Sequence, residues 1–577
     1  MEPTYINPGA KEIAELTANG CRALDWKRVK FHPNTDFSRF HNLSLEGDIR
    51  FGASDHTNFY ENARIVNCIF GDYVTIRNIG IKLENCHIGN RARIENVGSV
   101  RFEPEALCGV RTEVSVLDET GSRPVIIYPG LTAQIALLMA REPKWSELHL
   151  RPILLDYIDS RKYFVGIGDD AVVENCGELL NVSVGREVTV SGALSLKDGS
   201  IINNAAPGKA LAFIGSGVDA ENFLVEDGRL DSGALVRNCY IGQGATLEKR
   251  FTAHDSLFFA NCSMENGEAC AVFAGPYTVS MHKSSLLIGV QTSFMNAGSG
   301  TNQSNHMYKL GPVHWGVLER GVKTSSSSYL MLGAKIGAFS LLMGAHKTHP
   351  DSSQFPFSYL FGDDRGATVV VPGVMLRSCG LMRDEQKWPA RDRRLKRKLP
   401  LLDRIVFEVL NPITVEAMLT ALDVIDTLLS RPADDDRYLR YRGMKFTRAS
   451  LERARHLYEL AIYKYLSLRL GDNEFPDKKE DGEIYEWVDM SGLLIPRLLL
   501  KEAMKKESIE KLKELFDNAF EAYPELEKEW IANRFDDRWR RPNEVIKAYA
   551  QDFDHMIEED RHRYLDDLNY QNEMLRL

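Results

Sequence analysis

The chain has 577 residues, too many for one compact core, so several domains or one elongated repeat array is expected. Hydrophobic residues make up 44% and charged residues 26%, and the net charge of -10 excludes a chain-wide affinity for nucleic acid, which needs clustered Lys and Arg. No window reaches the roughly 18 apolar residues of a membrane span, and Met1 to Ala18 lacks a basic stretch leading into an apolar core, so a cytoplasmic protein with no membrane contact is expected.

Residues 1–44 read as an N-terminal cap holding a short amphipathic helix, Ala10 to Ala18, stopped by Asn19-Gly20. From about Leu45, short strands recur at even spacing. Asn67-Cys68-Ile69-Phe70-Gly71 and Asn85-Cys86-His87-Ile88-Gly89 stand 18 positions apart, and related steps begin at Asn175-Cys176, Asn238-Cys239 and Asn261-Cys262. A period of 18 built from sixes fits a coil with three flat sides, in which one aliphatic residue per side points inward. Gly or Asn takes each corner because both tolerate left-handed backbone angles. The cysteines that follow Asn are read as small buried thiols and not as disulfides. Such coils bury their aliphatics only against one another, so the array is stable as a capped stack. Residues 45–383 are assigned to a parallel β-helix.

Residues 118–165 carry helical patterns, Thr132 to Arg141 and Ser146 to Ser160, and read as an insertion. Two further interruptions, 296–330 and 346–364, are irregular loops that hold His306 and His314, and His346 and His349. After Arg383 the strand rhythm ends. A basic run from Arg391 to Lys398, read as a solvated face, precedes apolar residues at helical spacing over Leu401–Leu410 and Val415–Leu429. Further helices are expected over Ser450–Leu470, Leu493–Phe520, Glu525–Ala532 and Pro542–Leu575, so 384–577 is assigned to an α-helical domain.

Units such as Ile241-Gly242-Gln243-Gly244-Ala245 resemble the hexapeptide repeats of left-handed β-helix proteins, most of which are acyltransferases. The resemblance implies the left-handed sense of the coil and a homotrimer with sites between subunits. The fold class expected is therefore mainly β: a left-handed parallel β-helix with a helical insertion and a C-terminal α-helical domain. The layout, with Gly20-Cys21-Arg22-Ala23-Leu24-Asp25-Trp26 in the cap and a long helical tail, also resembles a group of long β-helix proteins of unassigned function.

Thr348-His349-Pro350-Asp351, followed by Phe355-Pro356-Phe357, resembles the histidine loop of the sugar and xenobiotic O-acetyltransferases of this class, which implies His349 as general base. Val371-Pro372-Gly373-Val374 resembles the coil beside the pantetheine arm of the acyl carrier, which implies Gly344, Pro372 and Gly373 near an acetyl-CoA or other acyl-CoA. Asn305-His306-Met307-Tyr308 is similar to a segment of the amino-sugar-phosphate N-acetyltransferases and makes His306 the second candidate base. Asn305, Tyr308, Lys309, His314, His346 and Asp351 are expected to face the same sugar-like substrate. Acyl transfer from a thioester needs a base poised near neutral pH, and imidazole is that base without perturbation. No metal is expected: there is no Cys-x-x-Cys, and Pro350 argues against the helix that would bring His346 and His349 together. The function expected is acyl transfer to a hydroxyl or amine of a sugar or sugar phosphate. The alternative is a non-catalytic β-helix scaffold that binds a nucleotide sugar or a protein partner.

Overall fold

A computed structural model describes residues 5–304, 314–432, 437–478 and 484–574. Its main body is a parallel β-helix, and its corners follow from the asparagines. Asn42, Asn62, Asn78, Asn96 and Asn175 hold φ between 51 and 55°, the left-handed region that asparagine tolerates. Each amide donates to the next, at 3.1, 2.9, 3.0 and 3.2 Å in turn, so the corner is a ladder of side chains one coil apart. The first three steps span 20, 16 and 18 residues, so the period of 18 is an average of unequal coils.

A second corner carries Asn181, Asp198, Asn222, Asn238 and Asp255 with φ of 46 to 55°. The registers Glu84↔Arg101 and Leu180↔Arg101 place Asn85 on this corner too. The Asn-Cys step therefore recurs at different corners, Asn85 and Asn238 on one and Asn175 on another. Cys68, Cys86, Cys176, Cys239 and Cys262 are all buried and free, filling the space just inside the turns.

Inside the first coils the column is aromatic, with Phe31 stacked on Phe51 at 5.1 Å and Phe51 on Phe70 at 5.0 Å. Farther along it becomes aliphatic through Ile88, Ile167, Val184, Ile201 and Val225, all buried. Each such side chain contributes about 1.5–3 kcal/mol against exposure, gained only because the next coil covers it.

The coil starts earlier and ends differently than the sequence suggests. Arg22–Ala23 already pairs in parallel with Ser44–Leu45, and Val29–Phe31 with Ile49–Phe51, so the segment assigned to a cap supplies the first coil. At the other end, Tyr359–Gly362 pairs in parallel with Leu341–Met343 and antiparallel with Thr368–Val371. The run Val369–Val371 is thus the return strand of a hairpin that closes the spiral, and not a resumed coil.

The insertion opens with the hairpin Glu113–Ser115 and Pro124–Ile126 and continues as the helix Ala133–Arg141. Thr132 caps that helix by accepting from Ile135 N at 3.2 Å. Residues Ala133 to Ala140 of it are buried on every side, since it is held between the coil and the C-terminal part. Ala133 N donates to Asp403 at 2.7 Å, and Gln134 donates to Met490 O at 3.2 Å. The C-terminal part is helical at Pro412–Leu429, Arg448–Leu470, Ile509–Glu521, Tyr523–Arg534 and Asn543–Met574. Two helical expectations fail. Leu401–Leu410 is extended, burying its apolar side chains by lying along the coil, with Val406 N donating to Gly492 O at 2.9 Å. Leu493–Pro496 is a strand paired with Trp487–Met490. Among the described residues no helix is long and apolar enough to cross a membrane.

Candidate functional site

One face of the coil changes character along its length, and the change locates the site. Successive registers align Leu224, Tyr240, Leu257, Phe273, Gln291, Val317, Lys335 and Asp351 in one outward column. The first four are buried in a second core shared with the insertion helix and with Met490, Leu493 and Ile495. From Gln291 onward the column is mostly polar, so the covering elements cannot close on it by hydrophobic contact. A cleft of about 310 Å³ opens there, between this face and the C-terminal part.

Two positions before Val317, Lys335 and Asp351 stand Trp315, Gly333 and His349. Gly333 has φ of 95°, and a Cβ on it would lie 2.8 Å from His349 Nδ1, so the imidazole lies over a backbone that only glycine leaves open. His349 Nδ1 donates to Leu332 O at 2.7 Å, because a carbonyl only accepts. In the neutral ring this leaves the lone pair on Nε2. The His314 ring lies 6.3 Å away at 24°, nearly parallel, and its Nδ1 is buried with no partner among the described residues. The Trp315 ring next to it carries the guanidinium of Arg123 at 4.8 Å and that of Arg141 at 5.8 Å. Arg141 and Lys335 also line the cleft, so they connect it to the histidine pair.

The other expected site residues separate from this pair. His346, placed with the substrate from sequence, is wholly buried on a strand paired through Leu330, with Nδ1 2.9 Å from Thr368 Oγ1. Burial pushes its pKa down to about 4, so it is a neutral core residue. Asp351 is on the right face but turns to the C-terminal hairpin, accepting from Ser353 Oγ at 2.6 Å and from Arg442 at 2.9 Å. Pro372 and Gly373 are buried, and a Cβ on Gly373 would lie 3.2 Å from the ring of Tyr458. The place expected to border a pantetheine arm is therefore filled by the helix Arg448–Leu470. Gly344 is exposed, with Gly362 beside it, at the closing hairpin. Asn305, His306, Tyr308 and Lys309 lie outside the described residues.

Sequence reasoning passed over Glu319, which lines the cleft beside Lys335. Removal from water pushes its carboxyl up to about 7, against the pull of Lys335 at 3.7 Å and of the Ala338 N–H at 3.2 Å. A charged residue directly after a short apolar strand gives no signal in one dimension, since it is indistinguishable from an ordinary solvated side chain. Arg141 was equally hidden, at the end of a helix in an insertion 150 residues from the Gln291 that it meets.

No curated protein matches the chain. A second family profile, described as domain of unknown function DUF6819, covers residues 474–572, the last helices. The β-helix, its insertion and the first long C-terminal helix fall within residues 5–429, which match the profile described as domain of unknown function DUF4954, and the chain belongs to that family.

Proposed function

We propose that the protein is an acyltransferase that moves the acyl group of a thioester, acetyl-CoA being the donor expected, to a hydroxyl or amine of a sugar or sugar phosphate. The observation that carries this is the tautomer of His349. Its Nδ1–H is committed to Leu332 O, and Nε2 of the half-buried ring is left to accept a proton. In the reaction, Nε2 takes the proton of the acceptor hydroxyl as its oxygen bonds to the thioester carbonyl. The tetrahedral oxyanion collapses, the C–S bond breaks, and the thiolate leaves with the proton returned by the imidazolium. His314, nearly parallel to His349, is the side chain we assign to contact with the acceptor. The left-handed sense of the coil, a trimeric assembly and a cytoplasmic location belong to the same proposal.

A second reading, a non-catalytic scaffold that binds a nucleotide sugar or a protein partner, is favoured by one observation: Tyr458 covers the Pro372-Gly373 segment. One experiment separates the two. Full-length protein is assayed for thiol release from acetyl-CoA with a panel of sugars and sugar phosphates. Removing a general base costs roughly 10²–10⁴-fold, so His349→Ala should lose release by that factor while unfolding as the parent does. An absence of release with every acceptor, or release undiminished in His349→Ala, overturns acyl transfer and leaves the scaffold.

A further inference from the structure

The last helix of the chain, Asn543–Met574, has two halves with different surroundings. In the first half Ile546, Ala550 and Phe553 are buried against the helix Arg448–Leu470, where Tyr549 stacks on Tyr463 at 4.5 Å and Asp554 accepts from Lys464 at 2.7 Å. Met556 and Ile557 are the last side chains packed on the core, and Arg561 to Asp567 are all exposed. The helix thus continues past Ile557 for about 25 Å, at about 1.5 Å per residue. A stretch of that length has little stability of its own in water, because most helices are held by tertiary packing. It nevertheless carries Tyr564 and Leu565, 54 and 41% exposed. Arg561 pairs with Glu558 and Arg563 with Glu559 within the helix, whereas Asp566 and Asp567 form no ion pair among the described residues.

A second uncovered surface lies on the same C-terminal part. Leu499 of the helix Arg497–Ala503, Leu515 of Ile509–Glu521 and Leu526 of Tyr523–Arg534 line an open groove of about 580 Å³. Leu499 and Leu515 pack against the core shared with the insertion, and Leu526 packs against the main one. The groove therefore follows the seam of two cores, where the outer edges of these side chains stay in water. Lys506, Lys511 and Glu514 complete its charged lining, and none of them forms an ion pair among the described residues. Glu502, whose field Lys506 shares, is taken by Lys505 at 2.7 Å. An apolar floor is thus flanked by one surplus positive charge.

We propose that the exposed end of Asn543–Met574 seats in this groove on a second copy of the chain. Tyr564 and Leu565 meet Leu499, Leu515 and Leu526, and Asp566 and Asp567 face Lys506 and Lys511. A helix laid into a groove between helices is a recurrent recognition mode, in which apolar anchors give affinity and flanking charges fix orientation. The occupant is a second copy because the helix is continuous from Asn543. Its end leaves the core at Ile557 in one piece and cannot fold back onto Ile509–Glu521 of its own chain without breaking. Tail and groove are different surfaces, so the contact closes either as a dimer that exchanges tails or as a ring. Neither the coil nor His349 takes part, and the inference does not rest on acyl transfer.

The test is sedimentation velocity of the full-length chain over a range of concentrations. The expected result is concentration-dependent association that salt weakens. Tyr564→Ser with Leu565→Ser removes the anchors and should weaken association at least about tenfold, as should Leu515→Ser in the groove. Lys506→Glu with Lys511→Glu should weaken it several-fold, and adding Asp566→Lys with Asp567→Lys to the same chain should recover most of that loss. These charge variants alter side chains outside the core, so they carry the test if Leu515→Ser does not fold. A chain that stays monomeric up to about 100 µM overturns the proposal. So does association that the tail variant abolishes and no groove variant weakens, the mark of tail-to-tail pairing. Association that tail and groove variants both leave unchanged overturns it as well and puts the contact on the coil. Thiol release is a separate readout, so either proposal can fail alone.

Discussion

The basic run that reads from sequence as a solvated face holds a clamp between the coil and the C-terminal part, and breaking it should be costly. Arg394 and Asp392 are each 2% exposed at their side chains and meet at 2.8 Å. Arg394 also donates to Asp403 O at 3.0 Å, while Asp392 accepts from Asn261 on the coil at 2.9 Å. Beside them Arg393 donates to Gly244 O at 2.6 Å and to Ser263 at 3.0 Å, both on the coil. Arg394→Met leaves the Asp392 carboxylate without its cation in a dry site, and such losses cost about 3–5 kcal/mol. Asp392→Asn with Arg394→Met removes both charges and keeps the helix-capping oxygen, so the double variant should recover at least about 1 kcal/mol of that loss. Urea unfolding at neutral pH measures both values. Acid gives an independent check. Burial pushes the Asp392 carboxyl up, but Arg394 outweighs it and the net shift is downward. The stabilisation is therefore present above the unfolded carboxyl value and is lost as pH falls through the lower folded value. In Arg394→Met the Asn261 amide and the N–H of residue 394 still favour the carboxylate, but the cation that outweighed burial is gone, so acid sensitivity should move to higher pH. A loss below about 1 kcal/mol in Arg394→Met, or a double variant no more stable than the single, would refute the clamp.

Two further outcomes are expected. His346 is held neutral with its pKa moved from 6.5 to about 4, so the folded state loses stability as pH falls below the unfolded value and until it reaches the folded one. Relative to His346→Leu, the parent should lose about 2 kcal/mol between pH 7 and pH 5, and parallel pH profiles in thermal unfolding would contradict this. Asn411 starts the helix Pro412–Leu429 by accepting from Ile413 N at 3.1 Å and Thr414 N at 3.2 Å, and it donates to Glu408 O at 2.8 Å. Asn411→Ala should cost about 1–2 kcal/mol through the cap and more through the carbonyl left behind. Asn411→Ser, which keeps a neutral cap acceptor, should cost less, and equal losses in a denaturant titration would show that capping is not the cause.

The parts of the fold legible in one dimension are those decided by a few neighbouring residues. The Asn and Gly corners, the alternation of inward aliphatics and the helix Ala10–Ala18 are local, and they appear where the pattern puts them. The misreadings have a common cause. Leu401–Leu410 and Leu493–Pro496 carry apolar residues that look helical, but each finds its burial by lying on an element hundreds of residues away or by pairing in a hairpin. The recurrent Asn-Cys step suggested one phase, whereas coils of 16 to 20 residues shift it from corner to corner. The same holds for the site. Thr348-His349-Pro350 marks an irregular loop, but the Leu332 carbonyl that fixes the tautomer lies 17 residues back, and only stacked coils bring it to 2.7 Å.

What the sequence determined by itself was a spiral of short parallel strands with glycine and asparagine at its turns, since each turn depends on the backbone freedom of one or two residues. Which histidine faces outward, which is sealed inside, and that Arg141, Lys335 and Asp489 meet around one cleft were decided by tertiary structure. The reason is physical. Burial, pairing and pKa are properties of what surrounds a group, and those surroundings are assembled from three stretches of chain that only the winding of the coil and the docking of the C-terminal part make neighbours.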